Sequence, residues 1–121
     1  ILLLCLGIFG CGTTQQHRIG QYSRAFQNME PSLQEQILRG EIEVGYSPLQ
    51  VYLALGPPNR SSRFSPPPVK PGDQWAYLGV PTEEGFRSSY DGSFLPHRNL
   101  HWLTIEFDDS GVSQIHLTPL D

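Results

Sequence analysis

The chain has 121 residues, 38% hydrophobic and 17% charged, with a formal net charge of −4 and 8 Lys and Arg together. Lys70 is the single lysine and the arginines are scattered, so no basic stripe exists to neutralise phosphates or to hold anionic lipid headgroups, which speaks against nucleic acid as a partner. That length supports one small domain burying roughly 60–65% of the surface its unfolded chain would expose.

The chain opens on an apolar run, Ile1-Leu2-Leu3-Leu4-Cys5-Leu6-Gly7-Ile8-Phe9-Gly10-Cys11, and turns polar at Gly12-Thr13-Thr14-Gln15. Ten helical residues rise about 15 Å, half of the roughly 30 Å hydrocarbon core, so the run is too short to span a bilayer. An apolar segment of this size ending in a small residue has the signal-peptide pattern. Neither an initiator Met nor a basic segment precedes it, so the expectation is an N-terminally truncated sequence. Ile8-Phe9-Gly10-Cys11 resembles the lipobox of bacterial lipoproteins. That resemblance implies residues 1–10 as the end of a signal peptide and Cys11 as a diacylglyceryl-modified N-terminus. It implies residence in the cell envelope, anchored by acyl chains. Stable anchoring needs at least two chains, each buried methylene contributing about 0.8 kcal/mol. Gly12 in place of Asp resembles outer-membrane destinations facing the periplasm. With Cys5 removed and Cys11 consumed as a thioether, the domain would have no disulfide and no cysteine for a metal.

Residues 11–30 are polar and aperiodic and predict a lipidated tether with weak helical character near residues 22–29. The remainder, residues 31–121, predicts a single domain. In residues 31–40, Ser32 and Glu35 have capping-box spacing, Leu33, Ile37 and Leu38 share a face, and Gly40 suits a left-handed stop. In residues 45–58, Ser47 suits an N-cap, Pro48 the first helical position and Gly56 the stop, with Pro57 and Pro58 barring continuation. A helix over residues 48–55 is expected.

The rest predicts strands: residues 59–64, residues 73–78 with Trp75 and Tyr77 on one face, residues 100–107 and residues 112–117 after an Asp108-Asp109-Ser110-Gly111 turn. Residues 65–72 carry four of the 11 prolines and are expected to be a loop. Residues 80–99, rich in Gly and Ser, are expected to be an inserted loop. Helices followed by an antiparallel meander define an α+β fold.

The pattern Gly45-Tyr46-Ser47-Pro48-x-x-Val51-x-x-x-Leu55-Gly56-x-Pro58 resembles the BamE/SmpA-like group of small bacterial lipoproteins, with their G-M-T-x-x-x-V-x-x-x-L-G-x-P helix. Trp75-Ala76-Tyr77 matches their aromatic strand, and Phe107-Asp108-Asp109-Ser110-Gly111-Val112 their final acidic-Gly turn. Tyr46-Ser47 replaces Met-Thr. The resemblance spans about residues 32–118. It implies two short N-terminal helices packed on a three- to four-stranded antiparallel sheet, and a non-enzymatic interaction module with an envelope protein as partner. An inhibitor or ligand-binding module on the same scaffold is the alternative, since scaffold alone does not carry function.

No constellation for catalysis or a cofactor stands out. His97 and His101 have helical metal spacing, but Pro96 and Asn99 place them in loop and strand, so no metal site is expected. Glu83, Glu84 and Asp91 lie in the long loop without the rigid separation that paired carboxylates need. Ser88, Ser89 and Ser93 lack a nucleophile elbow. The partner-binding candidates are Trp102, Thr104 and Glu106, on the strand face opposite Leu103, Ile105 and Phe107, together with Phe86, Tyr90 and Phe94 in the loop. The loop aromatics either form a contact surface or fold back over the sheet.

Overall fold

The computed structural model describes residues 14–61, 71–89 and 99–120. Four short helices come first among these residues: α1 (Gln15–Gln21), α2 (Ser23–Gln27), α3 (Pro31–Leu38) and α4 (Pro48–Leu55). Five strands follow, β1 (Arg60–Ser61), β2 (Gln74–Pro81), β3 (Phe86–Ser88), β4 (His101–Asp108) and β5 (Gly111–Pro119). Every pairing is antiparallel, in the order β1-β2-β4-β5, with β3 sharing the outer edge of β2 beyond β1. The fold is α+β, with the helices on one face of the sheet.

The expected helix over residues 48–55 forms as α4. Ser47 Oγ accepts from Gln50 N–H at 3.2 Å while Gln50 Oε1 accepts from Ser47 N–H at 2.9 Å, a reciprocal capping box. The capping box expected at Ser32 and Glu35 does not form. Proline is favoured at the first helical position, so α3 starts at Pro31 with Glu30 as an N-cap that makes no side-chain bond, and Ser32 falls inside the first turn. The far end of α3 closes as expected. Gly40, at φ +77°, donates to Ile37 O and Glu41 N–H to Gln36 O, each at 3.0 Å, the paired bonds of a Schellman motif.

Of the tether expected over residues 11–30, the described part packs against the domain, and the helical character expected near residues 22–29 appears as α2. Residues 15–21 and 23–27 are helical, and Arg18 is fully buried. The polar side chains that suggested a solvated segment instead serve carbonyls at helix ends, which have no intrahelical donors. Arg18 Nη2 donates to Leu53 O at 3.1 Å in the last turn of α4. Gln15 Nε2 donates to Ile37 O at 2.9 Å and Ala54 O at 3.3 Å. Gln34 Nε2 reaches back to Phe26 O and Met29 O, each at 3.0 Å, and so holds α2 against α3.

The inserted loop expected over residues 80–99 is partly a hairpin. β2 runs to Pro81, Thr82 N–H donates to Gly85 O at 2.7 Å, and β3 returns along β2. A strand of three residues is too short to show alternation in sequence, but Phe86 and Ser88 both point inward. Of the strand expected over residues 59–64, only Arg60–Ser61 lies within the described residues. The first cysteine-bearing segment, residues 1–13, lies outside them, as do residues 62–70 and 90–98.

The core lies between the helices and one sheet face. Val51, Leu53 and Leu55 meet Trp75, Tyr77, Ile105, Phe107 and Val112, all at most 1% exposed. Trp75 stands edge-on to Phe107, with ring centroids 4.9 Å apart. Tyr77 Oη donates to Gly56 O and Ser88 Oγ to Leu55 O, at 2.7 and 2.8 Å, so the end of α4 is tied to two strands.

Candidate protein-contact surfaces

Strand alternation builds the first surface. Along β4, Leu103, Ile105 and Phe107 are buried under the helices, and Trp102, Thr104 and Glu106 stand half-buried on the opposite face. Three of the expected contact residues therefore share one surface. The register sets Trp102 between Leu78 and Thr118, Thr104 between Ala76 and His116, and Glu106 between Gln74 and Gln114. None of the described helices covers this face. The Arg60 guanidinium lies 4.6 Å from the Trp102 ring centroid. Such a pair contributes about 0.5–1 kcal/mol at an exposed site and holds the indole as a flat platform. Gln74 Nε2 donates to Glu106 Oε2 at 3.4 Å, and His116 Nε2 and Gln114 Oε1 stand 3.0 Å apart.

Phe86 does not join them. It is 7% exposed, its N–H donates to Gly40 O at 2.9 Å, and Gly40 packs so close that any Cβ there would strike the Phe86 carbonyl. Its backbone anchors β3 to the end of α3, and its side chain lies on the helix side of the sheet, away from Trp102. Tyr90, Phe94 and the lipidation candidate Cys11 lie outside the described residues.

The second surface was not expected from sequence. At the far end of the helix-side face an apolar cleft of about 270 Å³ is lined by Ile42, Pro81, Phe86, Leu103, Ile115 and Leu117, with Glu41 and Glu43 at its rim. Leu117 is 47% exposed and Val44 is 65% exposed. A more polar cleft of about 450 Å³ lies between α1, the end of α3 and the β2–β3 hairpin, with Arg39, Glu84 and Arg87 among its lining. Arg39 Nε pairs with Glu41 at 2.9 Å, and that hydrogen bond raises the guanidinium pKa. Burial, then the charges of Glu43 and Glu41, push the Tyr46 phenol up to about 12, while its hydroxyl donates to Gln36 Oε1 at 2.7 Å.

Two of the three hydroxyls weighed as nucleophiles have structural duties, and Ser93 lies outside the described residues. Ser88 Oγ donates to Leu55 O, and Ser89 Oγ accepts from Asn59 Nδ2 at 3.2 Å. Among the described residues, no three His, Cys, Asp or Glu side chains cluster as metal ligands. His101 Nδ1 lies 2.9 Å from Asn99 O, and His97 lies outside the described residues. No described helix is long and apolar enough to cross a membrane.

Arg60 and the Ile115–Leu117 pair carried no local signal. Arg60 reaches Trp102 only because β2 sets the two residues on one face, and β5 lines the cleft only because the helices stop short of it. Comparison with known proteins gives no match: no protein-family model fits the chain, and no curated protein or solved structure is significantly similar to it.

Proposed function

We propose that the protein is a non-enzymatic, BamE-like interaction module of the bacterial cell envelope. It is held by acyl chains on Cys11 and faces the periplasm from the outer membrane. It presents the uncovered sheet face, with Trp102 at its centre and Thr104 and Glu106 beside it, to an envelope protein. The observation that supports this reading is that face itself: an indole fixed by Arg60, flanked by Leu78, with no described helix over it. Aromatic and arginine side chains are the residue types most enriched at the energetic centres of protein interfaces. The ligand-binding alternative would call for an enclosed apolar cavity, and both clefts described above open to solvent.

A photo-crosslinking amino acid at position 102, in the protein expressed in its native host, tests the reading. An adduct with one envelope protein, absent when the same group is placed at the exposed Asn28 in the helical layer, is the expected result. Equal adducts at both positions, or none at either, refute it. The anchor is checked separately: Cys11→Ala should abolish acyl labelling and move the protein from the membrane to the soluble fraction.

A further inference from the structure

Among the described residues, β5 has β4 on one side and only residues 45–46 on the other. Gly45 N–H donates to Val112 O and Val112 N–H to Tyr46 O, both at 2.8 Å, which covers the start of the strand alone. Farther along, register shows which backbone groups point outward. Leu120 N–H donates to Leu100 O at 2.9 Å, and the same register pairs Trp102 with Thr118, Thr104 with His116 and Glu106 with Gln114. In an antiparallel ladder bonded and non-bonded pairs alternate, so the N–H and C=O of Ile115 and Leu117 point away from β4. The bond from Phe107 N–H to Asp73 O, at 3.0 Å, agrees, since it assigns the odd-numbered residues of β4 to the β2 side. Among the described residues the result is an open edge over residues 115–119, about 17 Å long at roughly 3.4 Å per residue, ended by Pro119.

The same two residues turn their side chains into the apolar cleft. Open main-chain groups and an apolar slot therefore stand side by side, the two requirements of strand addition: ladder bonds for affinity, and a slot for alternate side chains for selectivity. Glu41 and Glu43 form the rim, and among the described residues Glu43 has no ion pair.

We propose that the free edge of β5 and the adjoining cleft bind an extended segment of a partner protein as an added strand, with apolar side chains at alternate positions and a Lys or Arg beside them. Charge favours such a partner over a second copy of this chain, because self-pairing would join two acidic rims and two chains of net charge −4. The inference goes beyond the reading of the outer face and does not depend on lipidation.

Selection of a random heptapeptide display library against the full 121-residue chain tests it. The expected binders alternate apolar residues and carry Lys or Arg. The strongest, made synthetically, should slow amide exchange at Ile115 and Leu117 at least tenfold. Methylating its backbone nitrogens at one parity should abolish binding, and at the other parity leave it intact. Leu117→Lys, at an exposed position, should weaken binding at least tenfold, whereas Trp102→Ala should leave it unchanged. The parity test uses the unaltered protein and so does not rely on any variant folding. An empty selection, binders without alternation, enrichment of Asp and Glu, or indifference to methylation parity overturns the proposal. Concentration-dependent self-association protecting the same two amides also overturns it, replacing the partner with a second copy.

Discussion

The two halves of the helix-side sheet face differ in how far they are sealed. Trp75, Tyr77, Ile105 and Phe107 are each at most 1% exposed. Farther along β4, Leu103 is 5% exposed, and on neighbouring β5 Leu117 is 47% exposed. The cause is length. α4 and β4 have eight residues each, but eight helical residues span about 12 Å and eight extended ones about 27 Å. One short helix cannot cover its strands, and α3, also of eight residues, packs against α4 instead of extending it. Alternation decides which face is apolar, and helix length decides how much of that face stays dry.

The sharpest way to break this contrast is to truncate one leucine in each half. Leu55→Ala should cost about 2–5 kcal/mol, because it opens a cavity among side chains that cannot collapse into it. Leu117→Ala should stay within about 0.5 kcal/mol, because its side chain is already in contact with water. Urea unfolding of the two variants decides, and equal losses would mean that the cleft is closed in solution.

Arg18 comes next. Its guanidinium seals the sealed half from outside, bonded to Leu53 O and placed 5.9 Å from the Tyr52 ring centroid. Charge-assisted bonds of this kind contribute about 1.5–3 kcal/mol, so Arg18→Ala should lower unfolding free energy by that amount. Gly56, at φ +89°, leaves room for the guanidinium. A Cβ there would lie 2.9 Å from Arg18 Nη1, so Gly56→Ala should disturb the same junction. If Arg18→Ala frees residues 14–30 to proteolysis with no change in the unfolding midpoint, the segment is a tether after all.

What could be read from sequence follows from range. The α4 cap, its stop and the inward set of β4 are encoded within eight or ten residues, and each appears as expected. The packing of residues 14–30 was hidden because its polar side chains answer to carbonyls 22 to 39 positions away. β3 was hidden because three residues cannot display a period, and whether Phe86 met a partner or folded back over the sheet was undecided because Gly40, which it packs on, lies in another element. Trp102, Thr104 and Glu106 were legible as a face, but Arg60 joins them only through the register of β2. The cleft was illegible for a different reason: it is formed by helices that stop short, and no motif marks that.

Tyr46, in the core beside Val112, gives a pH test of the sealed half. The folded state holds its phenol near 12, against an ordinary value of 10. Below pH 10 both states are protonated and its contribution is intact. Between pH 10 and 12 the unfolded chain ionises while the folded one does not, so stability falls as pH rises, by on the order of 1–2 kcal/mol. Tyr46→Phe should unfold more easily at neutral pH, having lost the bond to Gln36, yet show a flatter decline above pH 10. Parallel declines in the two proteins would place the alkaline sensitivity elsewhere.

The smallest effect separates two serines that looked alike in sequence. Ser47 caps α4, the helix that closes the sealed half, and its hydroxyl accepts a backbone N–H that would otherwise lack a partner within the helix. Ser47→Ala should therefore cost about 1 kcal/mol. Ser32 sits one position inside α3, where Pro31 has already set the first turn, so Ser32→Ala should be neutral or slightly stabilising, alanine being the better helix former. Thermal unfolding of the pair measures the difference directly. A loss at Ser32 equal to that at Ser47 would mean that α3 starts two residues later in solution, at Leu33, restoring its capping box. Gln34, whose amide ties α3 to Phe26 O and Met29 O, would then have to hold α2 in a different register.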